Sequence, residues 1–268
     1  MKIIVITGAS DGIGAEMARQ LARQHKSEVA LVIASRNLTA LEKVALELEG
    51  LGAQALAVQT DVSQQDQCRA LIGKTVAQFG RLDVLINNAG ISAQALFEDV
   101  REHDLGWYEE LMRINFWGSL WCTHAALAHL KAARGSVVAV SSLAGLVGVP
   151  GRTAYSASKF AMTGFFEALR AELKGAGVSV TTAHPGVVST NIRYRGLNAQ
   201  GVAAGSSGLK EDDAMSVQEC ARLILQGMER REREASSTSV HSRFAQSPGM
   251  ASTAQDSPSS TSMAIEVG

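Results

Sequence analysis

Cysteine is scarce in this chain. Cys68, Cys122 and Cys220 are odd in number, widely spaced and include no C-x-x-C, which argues against a disulfide framework and a thiolate metal site and suits a reducing compartment. Excess charge is missing as well. Lys and Arg total 25 against 26 Asp and Glu, a net charge of −1, so there is no electrostatic case for nucleic acid or a membrane surface as a partner. No apolar run approaches the roughly 20 residues that cross a bilayer, so no membrane span is expected. The apolar opening Ile3-Ile4-Val5-Ile6 runs straight into a glycine turn rather than a cleavage region. No secretory signal is read there, and a cytoplasmic chain is expected. The histidines show no H-E-x-x-H or similar spacing, and no metal site is assigned.

A chain of 268 residues is long enough for one α/β domain with a sizeable core. Apolar β-branched runs at 3–6, 29–34, 53–59, 82–86, 136–140 and 178–183 read as buried parallel strands, alternating with helical spacing at 15–24, 38–51, 107–133, 160–173 and 217–233. That alternation predicts a doubly wound parallel sheet in a single domain, residues 1–234. Within it, 191–216 reads as a Gly/Ala/Ser-rich substrate loop. From Ala235 onward ten of 34 residues are serine, and two of the chain's four prolines fall there. That segment is expected to be a disordered tail, with no clear seventh strand.

Ligands of such sheets sit at the carboxyl ends of the strands. After the first strand comes Thr7-Gly8-Ala9-Ser10-Asp11-Gly12-Ile13-Gly14 and then a helix. Backbone N–H groups and a positive helix terminus meet there, which suits a pyrophosphate, with Gly12 allowing close approach and Gly14 close packing. The second strand ends at Ser35-Arg36 with no carboxylate on either residue. An acidic residue there would meet a ribose 2′-OH and an arginine a 2′-phosphate, so NADP(H) is predicted over NAD(H). Asp11 is an unhelpful charge beside that phosphate. Asp61 reads equally as an acceptor for an adenine amino group and as the cap of a helix starting near Ser63.

The fifth strand ends at Ser141-Ser142, and Tyr155 and Lys159 follow one helical turn apart on one face. A phenol with a pKa of about 10 needs a neighbouring cation to exchange protons near neutrality, and a lysine four residues on is placed to supply it. With the Ser142 hydroxyl facing the same point, a carbonyl oxygen would meet one group that fixes it and one that protonates it. Asn115, on an apolar helix face, needs a partner, usually local backbone or water, and could order a water that passes protons to Lys159. Leu96, Phe97, Leu143, Val147 and Val149 read as either pocket lining or core.

Together these positions closely resemble the short-chain dehydrogenase/reductase family over residues 2–233. The order matches at Thr7 to Gly14, Asp61, N-N-A-G at Asn87 to Gly90, then Asn115, Ser142, Tyr155, Lys159 and Pro185-Gly186. The region 141–159 is similar to the branch containing 11β-hydroxysteroid dehydrogenases. The resemblance implies a Rossmann fold and a catalytic tetrad. Tyr155 is its acid/base, Ser142 orients substrate, Lys159 lowers the Tyr155 pKa and binds the nicotinamide ribose, and Asn115 supports a relay water. It implies cofactor contacts at Thr7, Gly8, Ser10, Gly12, Ile13, Gly14, Arg36, Asp61, Val62, Asn88, Ala89, Gly90, Tyr155, Lys159, Pro185, Gly186, Val188 and Thr190, the last on the carboxamide. The implied activity is hydride transfer between NADP(H) and a carbonyl or secondary-alcohol pair on an apolar small molecule, in a homodimer or homotetramer. A 3-oxoacyl-carrier-protein reductase or a sugar or polyol dehydrogenase is the alternative, because the specificity loop has no readable code. A non-catalytic NADP(H)-binding sensor would have lost the tetrad, and all four positions are filled.

Overall fold

The computed structural model of the chain describes residues 1–192, 194–205 and 214–235, so the expected serine-rich tail beyond Ala235 lies outside the described residues. β1 (Lys2–Thr7), α1 (Gly12–His25), β2 (Val29–Ser35), α2 (Leu38–Gly50), β3 (Gln54–Gln59), α3 (Gln65–Phe79) and β4 (Val84–Asn87) form the first half. α4 (Gly106–Met112), α5 (Gly118–Ala133), β5 (Ser136–Val140), α6 (Thr153–Leu173), β6 (Ser179–Ala183), α7 (Val217–Glu229) and β7 (Glu234–Ala235) form the second. All strand pairs are parallel, in the order β3-β2-β1-β4-β5-β6-β7. The doubly wound sheet is therefore as expected.

Strand side chains alternate between two buried layers, which explains why the strand sequences are apolar throughout. Ile4, Ile6, Leu31 and Ile33 pack with Met17, Leu21, Leu41, Leu48, Leu225 and Met228 from α1, α2 and α7. Val5, Val32, Leu85 and Val137 pack with Leu71, Ile72, Leu130, Phe166 and Leu173 from α3, α5 and α6. The winding starts at β1, runs outward to β3 and restarts at β4 beside β1. The loops leaving β1 and β4 diverge there, and the divergence opens a crevice.

Three expectations need correction. β7 exists: Glu234 and Ala235 pair with Thr182 and Ala183 of β6. Two residues are too short to show a strand period, and the pairing comes from Ala235 seating against Gly227, whose added Cβ would lie 2.7 Å from that of Ala235. The helix expected over 107–133 is interrupted by a π-turn, Arg113–Trp117, between α4 and α5. The loop expected to be structureless pairs in its described part, Leu197 bridging both Ala93 and Ala203, and Val188 bridging Met215.

Glycines on the first helix layer and on the surface should respond oppositely to alanine. A Cβ on Gly14 would sit 2.4 Å from the Gly8 carbonyl oxygen, whereas one on Gly73 in α3 meets nothing within 4 Å. Gly14→Ala is expected to lose about 1–3 kcal/mol through overpacking. Gly73→Ala is expected to gain about 0.5–1 kcal/mol through helix propensity. Urea unfolding of the two variants checks both signs.

Candidate active site

The end of β1 is stitched to the end of β4. Thr7 Oγ1 accepts from the Asn88 and Ala89 N–H groups, each at 3.0 Å, and Asn88 Nδ2 donates to the carbonyls of Thr7 at 2.9 Å and Gly8 at 3.1 Å. Gly8 has φ +69° and lies so close that an added Cβ would meet Ala89 Cα at 2.7 Å. Gly12, with φ +55°, differs: its Cβ would meet only Thr190, at 3.6 Å. The first N–H groups of α1 have no partner inside the helix, and with Ser10 and Ile13 they border that open space. A pyrophosphate fits these residues, because the turn presents donors and a positive helix end where no side chain stands. Beside Gly12 a cavity of about 410 Å³ is lined by Glu16, Ser189, Thr190, Asn191 and Tyr194.

Asp11 does not confront that space unpaired. Its carboxylate makes no capping bond to α1 and instead pairs with Arg195 of the Gly/Ala/Ser-rich loop after β6, Oδ2 to Nη1 2.7 Å. The charge that looked unhelpful is neutralised from a segment far along the chain.

The adenosine end is simpler. Arg36 is exposed beyond β2, and its carbonyl accepts from Gln59 Nε2 at 3.0 Å. Asp61 Oδ1 accepts from the Ser63 N–H at 2.9 Å, while its own N–H donates to Gln67 at 2.8 Å. It closes a turn ahead of α3, whose N-cap is Gln64 rather than Asp61. Val62 is buried and packs on Gly118, where a Cβ would meet the Val62 carbonyl at 2.8 Å.

Ser142, Tyr155, Lys159 and Asn115 converge at the end of β5. α6 begins at Thr153, earlier than the helix expected from 160, so Tyr155 and Lys159 both lie in its opening turns. Ser142 accepts from the Ala144 N–H at 3.2 Å and sits 3.4 Å from the Pro185 carbonyl, beside Gly186 and the buried Val188. Gly90 touches two members at once, since its Cβ would lie 3.1 Å from Asn115 Oδ1 and 3.7 Å from Lys159 Nζ.

Asn115 is fully buried within the π-turn. Its Oδ1 accepts from the Ile91 N–H at 2.8 Å, and its Nδ2 donates to the Ile91 carbonyl and Ser158 Oγ, each at 3.0 Å. Its partners are therefore distant in sequence rather than local. Such π-turns often mark functional positions, because one extra residue rotates the face that follows.

Burial dominates the ionisation of this cluster. It raises the Tyr155 phenol, against the opposing Ser142 hydrogen bond and Arg152 charge. It pulls Lys159 down to about 8, and it lowers His184, whose Nδ1 lies 3.3 Å from the Ser142 carbonyl. Lys159 Nζ donates to the Val140 carbonyl at 2.9 Å and lies 5.7 Å from the centre of the Tyr155 ring. Sequence reading also missed Ser92, which accepts from Arg152 at 3.1 Å, and Ser158. The Ser158 position, three residues beyond Tyr155 on α6, was a signal that could have found it. Leu96, Phe97 and Val147 are exposed and Leu143 and Val149 half-buried, so none belongs to the core.

Comparison with known proteins agrees with this geometry. The family model described as short chain dehydrogenase matches residues 2–199. An 11-beta-hydroxysteroid dehydrogenase A from Arachis hypogaea is 37% identical over 239 residues, 87% of this chain and 67% of that protein. The 11-beta-hydroxysteroid dehydrogenase A of Sesamum indicum is 39% identical over 71% of this chain and 53% of its own length. 11-beta-hydroxysteroid dehydrogenase-like 4A of Arabidopsis thaliana is 36% identical over 85% of this chain and 73% of its own length. The chain thus spans from about half to about three quarters of these relatives. Among solved structures, an alcohol dehydrogenase from the archaeon Thermococcus sibiricus, complexed with 5-hydroxy-NADP, superposes with TM-score 0.75 at 26% identity, covering 88% of this chain and 95% of that one. A short chain dehydrogenase/reductase from Burkholderia phymatum in complex with NAD has TM-score 0.77 at 24% identity, covering 91% and 92%, and shares the fold.

The lowered Lys159 pKa carries a stability consequence. Between about 8 and 10.5 the unfolded chain holds a proton there that the folded chain has released, so stability rises with pH across that window. From about pH 7.5 to about pH 9.5 the protein is expected to gain about 2 kcal/mol relative to Lys159→Met. Urea unfolding at the two pH values measures it, and an equal response of both proteins contradicts it.

Proposed function

Because the chain belongs to the short-chain dehydrogenase family and groups with its 11β-hydroxysteroid dehydrogenase-like branch, we propose that this oxidoreductase moves a hydride between NADP(H) and a carbonyl or secondary-alcohol pair on an apolar, steroid-, lipid- or xenobiotic-like substrate. The observation that carries the reading is the grouping of Ser142, Tyr155 and Lys159 at the open end of β5, with Lys159 Nζ 5.7 Å from the centre of the Tyr155 ring, two strands along the sheet from the glycine turn. The bound dinucleotide supplies or takes up the hydride. Ser142 holds the substrate oxygen, and Tyr155 gives it a proton in reduction or takes one in oxidation. Lys159, on the helix turn after Tyr155, would hold the nicotinamide ribose, and Thr190 the carboxamide. Asn115 braces Ile91 against Ser158 and so fixes the wall on which a relay water would rest.

Two observations support the phosphorylated cofactor. Arg36 stands exposed past β2 with no carboxylate on Ser35 or Arg36, and the Asp11–Arg195 pair removes the charge that would oppose it. The exposed Leu96, Phe97 and Val147 on segments flanking the site support an apolar substrate. A second copy of the chain is the expected macromolecular partner. Trp117 and Phe160 are 43% and 44% exposed, and Trp117 stacks on Trp121 at 5.9 Å, an apolar face on α5 and α6 that a copy could cover.

Fluorescence titration with NADPH and NADH is expected to favour NADPH, with Arg36→Ala removing most of that preference. Binding of neither dinucleotide would overturn the reading. Tyr155→Phe should cut ketone turnover at least about a hundredfold while dinucleotide affinity stays within a few-fold. Full turnover in that variant would remove Tyr155 from its role.

A further inference from the structure

Tyr155 stands between two cations. The Lys159 ammonium and the Arg152 guanidinium carbon each lie 5.7 Å from the centre of its ring. They are not committed to it equally. Lys159 Nζ donates to the Val140 carbonyl at 2.9 Å and lies 3.9 Å from the Met162 sulfur. Arg152, just before α6, is held from the opposite wall. Its Nη1 donates to Ser92 Oγ at 3.1 Å. Its backbone bridges Ala95, whose N–H donates to the Gly151 carbonyl at 2.8 Å. Side chain and backbone thus tie Arg152 to the loop that leaves β4.

We propose that Arg152 is a positioning residue for Tyr155: anchored by Ser92, its guanidinium supplies a permanent positive charge over the ring that favours the phenolate. The inference rests on the reading of Tyr155 as the proton donor and acceptor. Arginine stays charged at every pH at which an enzyme works. Lys159, pulled down to about 8 by burial, loses its charge as the medium turns alkaline, where alcohol oxidation most needs a phenolate. The polar and ionisable groups around the ring are Arg152 and Lys159 from α6 and the residue before it, and Ser142 from β5. Behind Ser142 stands the His184 imidazole from β6.

The direction follows from the charges. Burial raises the phenol, and the Ser142 hydrogen bond and the Arg152 charge pull it back. Removing Arg152 must therefore raise the pH at which Tyr155 ionises. A cation at about 4–6 Å moves an acid by about 1–3 units, and a partly exposed one belongs at the low end.

Tyrosinate absorbance, titrated on the full chain without cofactor or substrate, reads this directly. The chain has three tyrosines, so the Tyr155 transition is the difference between each protein and its Tyr155→Phe counterpart. Arg152→Met is expected to move that transition up by about one pH unit, a tenfold loss of phenolate below it. Arg152→Lys should restore most of the shift, and Ser92→Ala, which removes one hydrogen bond that holds the guanidinium, should move it part of the way. An unchanged transition in folded Arg152→Met overturns the proposal. If that variant does not fold, an unchanged transition in Ser92→Ala overturns it instead. The titration uses neither dinucleotide nor carbonyl, so its outcome is separate from the success or failure of the proposed oxidoreductase reading.

Discussion

The amide of Asn88 holds the open end of this molecule together. Its bonds to the Thr7 and Gly8 carbonyls make the turn after β1 and the end of β4 a single piece at the point where the two windings of the sheet part. The contact leaves no volume for side chains, with Gly8 against Ala89 and Gly14 against Gly8 and Asn88 Nδ2. At interior packing density no shift nearby would make room. The turn therefore runs tight beneath α1, and Gly12 is left with only Thr190 in ordinary contact distance, at 3.6 Å. The open surface at the start of α1 is a consequence of packing two residues away.

Around Tyr155 the constraint is desolvation rather than volume. Withdrawal from water disfavours the phenolate and the ammonium alike, pushing Tyr155 up and Lys159 down. Each group is thus driven toward its neutral form. What keeps the phenol from drifting out of reach is local: the Ser142 hydrogen bond and a guanidinium anchored to the opposite wall. Asn115 adds rigidity, since its amide joins the loop after β4 to α6 through Ile91 and Ser158.

The Gly/Ala/Ser-rich loop after β6 is held in its described part by backbone and by Trp107 more than by charge. The Asp11–Arg195 pair is solvent-exposed, and such pairs contribute about 0–1 kcal/mol. Leu197 instead joins two strand-like bridges, and the buried Trp107 donates to the Ala199 carbonyl at 3.3 Å. Gly201, with φ +73°, presses so closely on the Trp107 ring that a Cβ would lie 2.9 Å from it. The ion pair's larger effect is to set the local charge beside the glycine turn.

The amino-acid order by itself determined the α/β class, six of the seven strands, the glycine turn and the Ser142, Tyr155 and Lys159 constellation. These are short-range properties: β-branched runs, φ-permissive glycines and a one-turn interval on a helix all act within a few residues. Tertiary structure alone decided the rest. β7 has two residues and no period of its own, and it exists because β6 offers a register and Gly227 a seat. Asn115 finds its partners 24 and 43 residues away, and Arg152 finds Ser92 across 60. No local pattern encodes those meetings. Which cation acts on Tyr155, and how far Lys159 is pulled from its ordinary value, depends on burial and distance, and neither exists until the chain has folded.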